Sequence, residues 1–420
     1  MSAGWLLLGL LALSFVGSSV ARGRGVEGFG LPSGSEWLLS GIVVGPQVFR
    51  LVQPNAFEGF APLVAAGTGW VSFAIGQRFG VQWRVVRRGG SGLLRADVAL
   101  GALCALCVGS IVAIAAYWVL GFTGTMTLPL RRGTALFLGL SLASSARQLV
   151  DWARERLGAT GRVTDLLESI VGGGELLSLL GTAPLAVLIS SPESTPSVLL
   201  VHALSPVLVG LLFGAVGLGL LRIEAGAART YAILFGILLL SVGLSMRVGS
   251  SAIAAGFVLG WVLGNSQKRG RELSNSTRPT EGAVILPLLV IGGACVDWAS
   301  LGNLLVVALG AVVVRLPATF GCAGFLRRQG GLSSSTVALG ASLCSTGEIA
   351  VLLGLQFWLL VPGGLGQVVL ASAILASLLG ELLGAWGIRA TLASAGELAL
   401  DGGSESRALG GNHSPPRGSA

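Results

Sequence analysis

Charge is scarce in this 420-residue sequence: only 11% of its residues are Asp, Glu, Lys or Arg. Soluble domains carry about 25%. With 53% hydrophobic residues and a mean hydropathy of +0.82, a water-soluble core of this length cannot hide so much apolar surface. The solvent of most of the chain is therefore lipid. Histidine is nearly absent. His202 and His413 are the only two, which excludes a histidine-based metal site. Cysteine is limited to five residues, all within or beside apolar runs. Cys104 and Cys107 form a C-x-x-C, but its setting, GALCALCVGS, reads as small apolar packing without a second Cys/His pair. Lysine is reduced to Lys268 against 26 arginines, which reflects genome composition rather than function. Nucleotide-binding motifs and the nucleophile–base constellations of soluble enzymes are missing. Neither an enzyme nor a cofactor nor a metal is expected.

Glycine is what abounds, with 66 residues, most of them inside apolar runs. Small residues let membrane helices approach closely and tolerate breaks in them. The net charge of +8 is carried by arginines, one or two at a time between apolar runs. That is the pattern of cytoplasmic loops, not of a nucleic-acid surface.

Thirteen apolar spans are expected, at 4–21, 36–52, 59–77, 96–121, 133–149, 166–190, 196–221, 229–246, 249–265, 282–299, 301–326, 333–360 and 365–388. The first lacks a basic segment ahead of it, so it reads as a span and not as a signal peptide. Residues 393–420 are polar and Gly/Ser/Pro-rich and are expected to be a disordered tail. Counting Lys and Arg in the loops, with Arg50, Arg147 and Arg229 at span ends taken with the loops they adjoin, places 22 on one side and 4 on the other, with Arg315 deep inside a span. By the positive-inside rule the N-terminus lies outside and the C-terminus in the cytoplasm.

A charge at mid-span is costly, so each is a functional candidate. Glu175 follows three glycines in ESIVGGGELLSLLG. It reads as a cation or proton site, or as the structural partner of an arginine. Arg315, in VVVRLPATFGC, demands a counter-ion, and Glu175 is the natural one. Glu348 follows Ser345, Thr346 and Gly347 in CSTGEIAVLLG, a helix interruption. Its stabilising role at the helix N-terminus that follows outweighs direct ion binding. The run SLASSARQL, holding Ser144 and Ser145, is a second break candidate in the corresponding place of the other half, as expected for paired broken helices at a membrane midplane.

Five segments in order carry a resemblance: LPSGSEWLLSGIVVGPQVFRLV, TALFLGLSLASSARQLVDWARERLGATGRV, GLSMRVGSSAIAAGFVLGWVLGNSQKR, LPLLVIGGACVDWASL and STGEIAVLLG. Together they resemble the monovalent cation/proton antiporter superfamily, specifically its Kef-type and Nap-type branch, over nearly all of residues 4–392. The resemblance implies an all-α polytopic membrane protein in which 1–392 form one antiporter domain. It implies about 13 transmembrane helices, inverted five-helix repeats, two broken crossing helices and a homodimer. It implies alternating access, with Na⁺ or K⁺ competing against H⁺ at a carboxylate. The family's pair of polar residues on the sixth span falls here on Gly174 and Glu175, so one carboxylate remains and a one-for-one exchange is expected. A family Lys has no counterpart near Thr319 or Phe320, and Arg315 stands about one turn away. Two alternatives accompany this reading: a Na⁺-coupled organic-anion symporter using Arg315 as the anion contact, and a non-transporting regulatory membrane protein.

Overall fold

The computed structural model describes residues 34–398 apart from 47, 50–58, 60, 89–91, 123–125, 191–195, 224–225, 267–269, 300 and 331–333. The expected first span, 4–21, and most of the expected tail lie outside the described residues. Every described element is a helix. In chain order they are α1 (Ser35–Val44), α2 (Ala61–Arg88), α3 (Gly92–Phe122), α4 (Leu128–Ser141), α5 (Arg147–Arg156), α6 (Arg162–Ser190) and α7 (Pro196–Ile223). There follow α8 (Ala227–Arg247), α9 (Ala252–Gly264), α10 (Gly270–Cys295), α11 (Leu304–Gly330), α12 (Thr336–Leu343), α13 (Gly347–Leu360) and α14 (Gly364–Ala395).

Among the described residues six helices are long and apolar enough to cross a membrane: α3, α6, α7, α8, α11 and α14. The pair α12–α13, bent by 42° at its break, makes a seventh. Shorter apolar helices at Ser35–Val44, Ala252–Gly264 and Thr280–Cys295 lie among them. The chain is thus an all-helical, multi-pass membrane protein. Large apolar side chains such as Leu106, Ile114, Trp118, Leu208 and Leu212 are exposed on α3 and α7, where lipid is the solvent.

Glycine sets how closely the helices approach. A Cβ on Gly260 of α9 would run into the Phe73 carbonyl of α2, and one on Gly76 of α2 into the Phe257 carbonyl of α9. The same exchange joins α3 to α6, through Gly101 against the Ile170 carbonyl and Gly173 against the Val98 carbonyl. In lipid, where burial of apolar surface gives no drive, such backbone contact holds helices together. Polar links add to it. Thr182 of α6, Ser251 at the N-cap of α9 and Gln356 of α13 form a buried chain, at 2.6 Å and 2.9 Å.

The break expected in SLASSARQL divides span 133–149 into α4 and α5, the chain unwinding at 142–146. Two expectations need correction. The helix on 36–52 ends at Val44. Residues 393–398 were placed in the disordered tail, yet α14 continues to Ala395 and Glu397 is bound to the fold.

Candidate functional site

Two interrupted helices meet at the centre. Between α4 and α5 the backbone is non-helical at 142–146, and between α12 and α13 at 344–346. The breaks touch: the Ala146 N–H donates to the Ser345 carbonyl at 2.7 Å. Gly347 has φ +62, and a Cβ there would stand 2.8 Å from the Ala146 Cβ, so both its conformation and its closeness call for glycine. Phe137 of α4 and Phe357 of α13 pack with ring centres 4.8 Å apart and fix the approach of the two chains.

An interrupted helix leaves carbonyls unpaired at one end and N–H groups at the other. Arg315 of α11 takes the carbonyl ends. Its guanidinium donates to the carbonyls of Leu142 at 2.8 Å, Ser144 at 3.2 Å, Leu343 at 3.3 Å and Cys344. One buried cation thereby neutralises the C-termini of both α4 and α12. The expected Glu175–Arg315 pair is not among the ion pairs of the described residues. Arg315 is committed to backbone.

Glu175 pairs with Arg147 instead. Arg147 is the first residue of α5, directly after the break, and its Nε donates to Glu175 Oε2 at 2.8 Å. Both are buried, with side-chain exposures of 7% and 3%. The three glycines before Glu175 now have distinct reasons. A Cβ on Gly172 would meet Arg147 Nη2 at 2.8 Å, Gly173 admits the α3 backbone, and Gly174 faces Ala105 and the Ser144 backbone. Gly172 therefore makes the channel along which the guanidinium reaches Glu175.

Arg147 has a second carboxylate in range. Its Nη1 is 3.7 Å from Glu168 Oε1. Glu168 and Glu175 share a face of α6 two turns apart, about 10 Å along the axis. Glu168 also binds Arg154 at 2.7 Å and accepts from Gln82. It lines a cavity of about 310 Å³ between α2, α3, α5 and α6, with Trp83, Asp165 and Gly172. A polar route thus runs from the cavity through Glu168 to Arg147 and Glu175.

Glu348 opens α13 and is buried, and its Oε2 has no hydrogen-bond partner. Across from it, Arg78 of α2 binds Glu281 of α10 at 2.7 Å. The charges of Glu281, Glu175, Glu348 and Asp151 all act on Arg78. Ser144, Ser345 and Thr346 are buried with hydroxyls that have no hydrogen-bond partner, while Ser145 donates to the Leu343 carbonyl at 2.8 Å. Ser145, Gly174, Arg315 and Thr319 line a cavity of about 30 Å³, room for about one water.

The structure therefore brings Glu175, Gly174, Ser144, Ser345, Thr346, Gly347, Glu348 and Arg315 to one crossing. Sequence reasoning missed Arg147, Arg78 and Glu281. All three fall at the edges of apolar runs and read as loop charges. The signal that could have found Arg147 was its place directly after a Ser-rich break. Among the described residues no cluster of three or more His, Cys, Asp and Glu is arranged to hold a metal.

No protein-family model and no curated protein matches the chain. Solved structures do. A structure of the sodium proton antiporter MjNhaP1 from Methanocaldococcus jannaschii at pH 8 is 17% identical, with a TM-score of 0.66, over 93% of this chain and 99% of that one. An electron-microscopy structure of the same antiporter is 16% identical, with a TM-score of 0.59, over 98% and 99%. At that identity the likeness establishes a shared fold.

Proposed function

We propose that the chain is a secondary transporter exchanging a monovalent cation, Na⁺ or K⁺, for H⁺, the two competing for the Glu175 carboxylate. One observation carries the reading. Glu175 is buried at a crossing of broken helices and is neutralised by Arg147, a tethered cation with a second carboxylate to retreat to. A cation or proton arriving at Glu175 replaces one positive charge by another. Arg147 then shifts toward Glu168, at the wall of the 310 Å³ cavity. Because a proton and a metal cation do the same electrostatic work, occupation by one excludes the other, and that exclusion is exchange. The fold shared with a sodium proton antiporter supports the reading.

Ser144 supplies a hydroxyl and Gly174 an open face beside Glu175, so a small cation has oxygen ligands within the break. Ser145 is tied to the other break. Alternating access then consists of rocking the two breaks, joined through Ala146 and Ser345, against the remaining helices. Thirteen spans, inverted repeats, an outside N-terminus, a cytoplasmic C-terminus and a homodimer belong to the same proposal. The spans and orientation rest on the arginine alternation, the inverted repeats on the paired breaks and the family resemblance, and the homodimer on that resemblance alone. The Kef-type assignment rests on the sequence segments alone.

The test is ion flux in proteoliposomes with pH and cation gradients set independently. Cation-driven proton flux is expected in Na⁺ or K⁺, and Glu175→Gln should lower it at least tenfold. Wild-type flux in Glu175→Gln overturns the assignment. Flux that needs an organic anion rather than a pH gradient points to the symporter. No flux under any gradient points to a non-transporting scaffold.

A further inference from the structure

Among the described residues Glu348 is a buried acid of the crossing that makes no ion pair, whereas Glu175 and Glu281 each have one. Glu281, Glu175 and Asp151 are the acidic groups that act on Glu348, and Arg78 is the basic one. Arg147 joins them through Glu175. Arg315 is engaged by the carbonyl ends of both breaks. Glu381 of α14, 1% exposed, follows Gly380, which packs against Cys344 and Ser345. Glu281 has Arg78 at 2.7 Å and Glu175 has Arg147 at 2.8 Å. Asp151 is half-buried, whereas Glu348 is 7% exposed and its Oε2 has no hydrogen-bond partner.

A buried carboxylate oxygen is not left bare without a large cost. The adjoining stretch holds other buried oxygens without a partner. Thr346 is the N-cap of α13, yet its hydroxyl makes no capping bond and is buried without a partner. The Gln148 carboxamide oxygen is buried without a partner too, and lies against Gly347, at 3.5 Å from where a Cβ would be. Gly347 keeps that space open. Carboxylate, carboxamide and hydroxyl oxygens are the ligand set of a hard cation.

We propose that Glu348 is the second carboxylate of the exchange site, binding a monovalent cation, or a proton in its place, with Gln148 and Thr346 as further oxygen ligands. The proposal rests on the reading of the crossing as an exchange site. It supplies, from a helix of the other half of the chain, the acid that position 174 lacks. Two carboxylates then serve the site, and more than one proton can leave for each cation that enters.

Binding of radioactive Na⁺, and in parallel K⁺, to the purified full-length chain in detergent tests it across pH 5 to 9. Glu348→Gln should weaken cation binding at least tenfold and flatten its competition with protons. Gln148→Ala should weaken it several-fold at an unchanged melting temperature. Glu348→Asp, which keeps the charge, should retain binding. Wild-type affinity and pH dependence in Glu348→Gln overturn the proposal. So does loss of all saturable binding in Glu175→Gln while Glu348→Gln binds normally. If Glu348→Gln does not fold, Gln148→Ala and Thr346→Val decide, and unchanged affinity in both overturns it. Failure of the Glu175 reading is seen separately, as wild-type flux in Glu175→Gln.

Discussion

Removing Arg147 should harm the protein far more than removing the charge it neutralises. Arg147→Ala leaves the Glu175 carboxylate, 3% exposed, without a counter-ion. Breaking a buried pair from one side costs about 3–5 kcal/mol. Glu175→Gln acts differently. Arg147 then still has Glu168 at 3.7 Å, on the same face of α6. Its loss is limited to one charged hydrogen bond, about 1.5–3 kcal/mol before the new pairing offsets part of it. The double variant Arg147→Ala/Glu175→Gln should be about as stable as Glu175→Gln alone, since no orphaned charge remains. The coupling between the two sites should therefore equal the Arg147→Ala cost, about 3–5 kcal/mol, at or above the upper end for residues in direct contact. Melting of the four proteins in detergent at pH 7 measures this. The Arg147→Ala defect should shrink as the pH falls, because a protonated carboxyl needs no counter-ion. Equal destabilisation by the two single variants, or a double variant as weak as their sum, refutes the pairing and its escape route.

Arg315→Met should lower stability by at least about 3 kcal/mol, because it strips the donors from both carbonyl ends at the crossing, and Arg315→Lys should not rescue it, since an ammonium cannot span the four carbonyls. Gly174→Ala should be tolerated, its Cβ meeting Ala105 at 3.5 Å, whereas Gly174→Asp should melt lower than Gly174→Ala, because its carboxylate competes with the carbonyls for Arg315 across a cavity of about 30 Å³. Glu397 accepts from the N–H groups of Val163 and Thr164 and from the Thr164 hydroxyl at 2.7–2.8 Å. Glu397→Ala should therefore cost about 1–2 kcal/mol, like the loss of a helix cap, and raise amide exchange at 162–165.

Apolar length made the helical, membrane-embedded character legible, and the Ser-rich runs marked both breaks. Glu175, Arg315 and Glu348 stood out because a charge inside an apolar run has no bland reason to be there. What escaped was the pairing. Hydropathy ends a span where charges begin, so Arg78 and Glu281 fall just outside the expected spans, and Arg147, near the end of 133–149, counts with the loop that follows. The structure continues α2 to Arg88 and starts α10 at Gly270, which carries Arg78 and Glu281 inward as a pair. Two of the arginines counted toward the positive-inside balance, Arg78 and Arg147, thus serve the protein interior. Nor could the sequence say that the glycine before Glu175 most in need of being glycine for the ion pair is Gly172, because that depends on where a residue 25 positions earlier places its guanidinium.

The crossing also explains why Arg147 suits displacement. Four helix ends meet there, and their fields sort the charges. The carbonyl ends of α4 and α12 favour a cation, and Arg315 sits on them. The N-terminal ends of α5 and α13 favour an anion, and Glu348 lies in the first turn of α13. Arg147 violates this order: it is a cation in the first position of α5, where the helix field opposes it by about 0.3–1 kcal/mol. Among the described residues Glu175 and Glu168 hold it there. Arg315, engaged by four carbonyls, cannot yield its place to an incoming ion without undoing the crossing. Arg147 can, because its removal from Glu175 relieves an unfavourable helix contact and Glu168 receives it. In the proposed exchange the fixed cation is thus the one the fold favours, and the mobile cation is the one it resists.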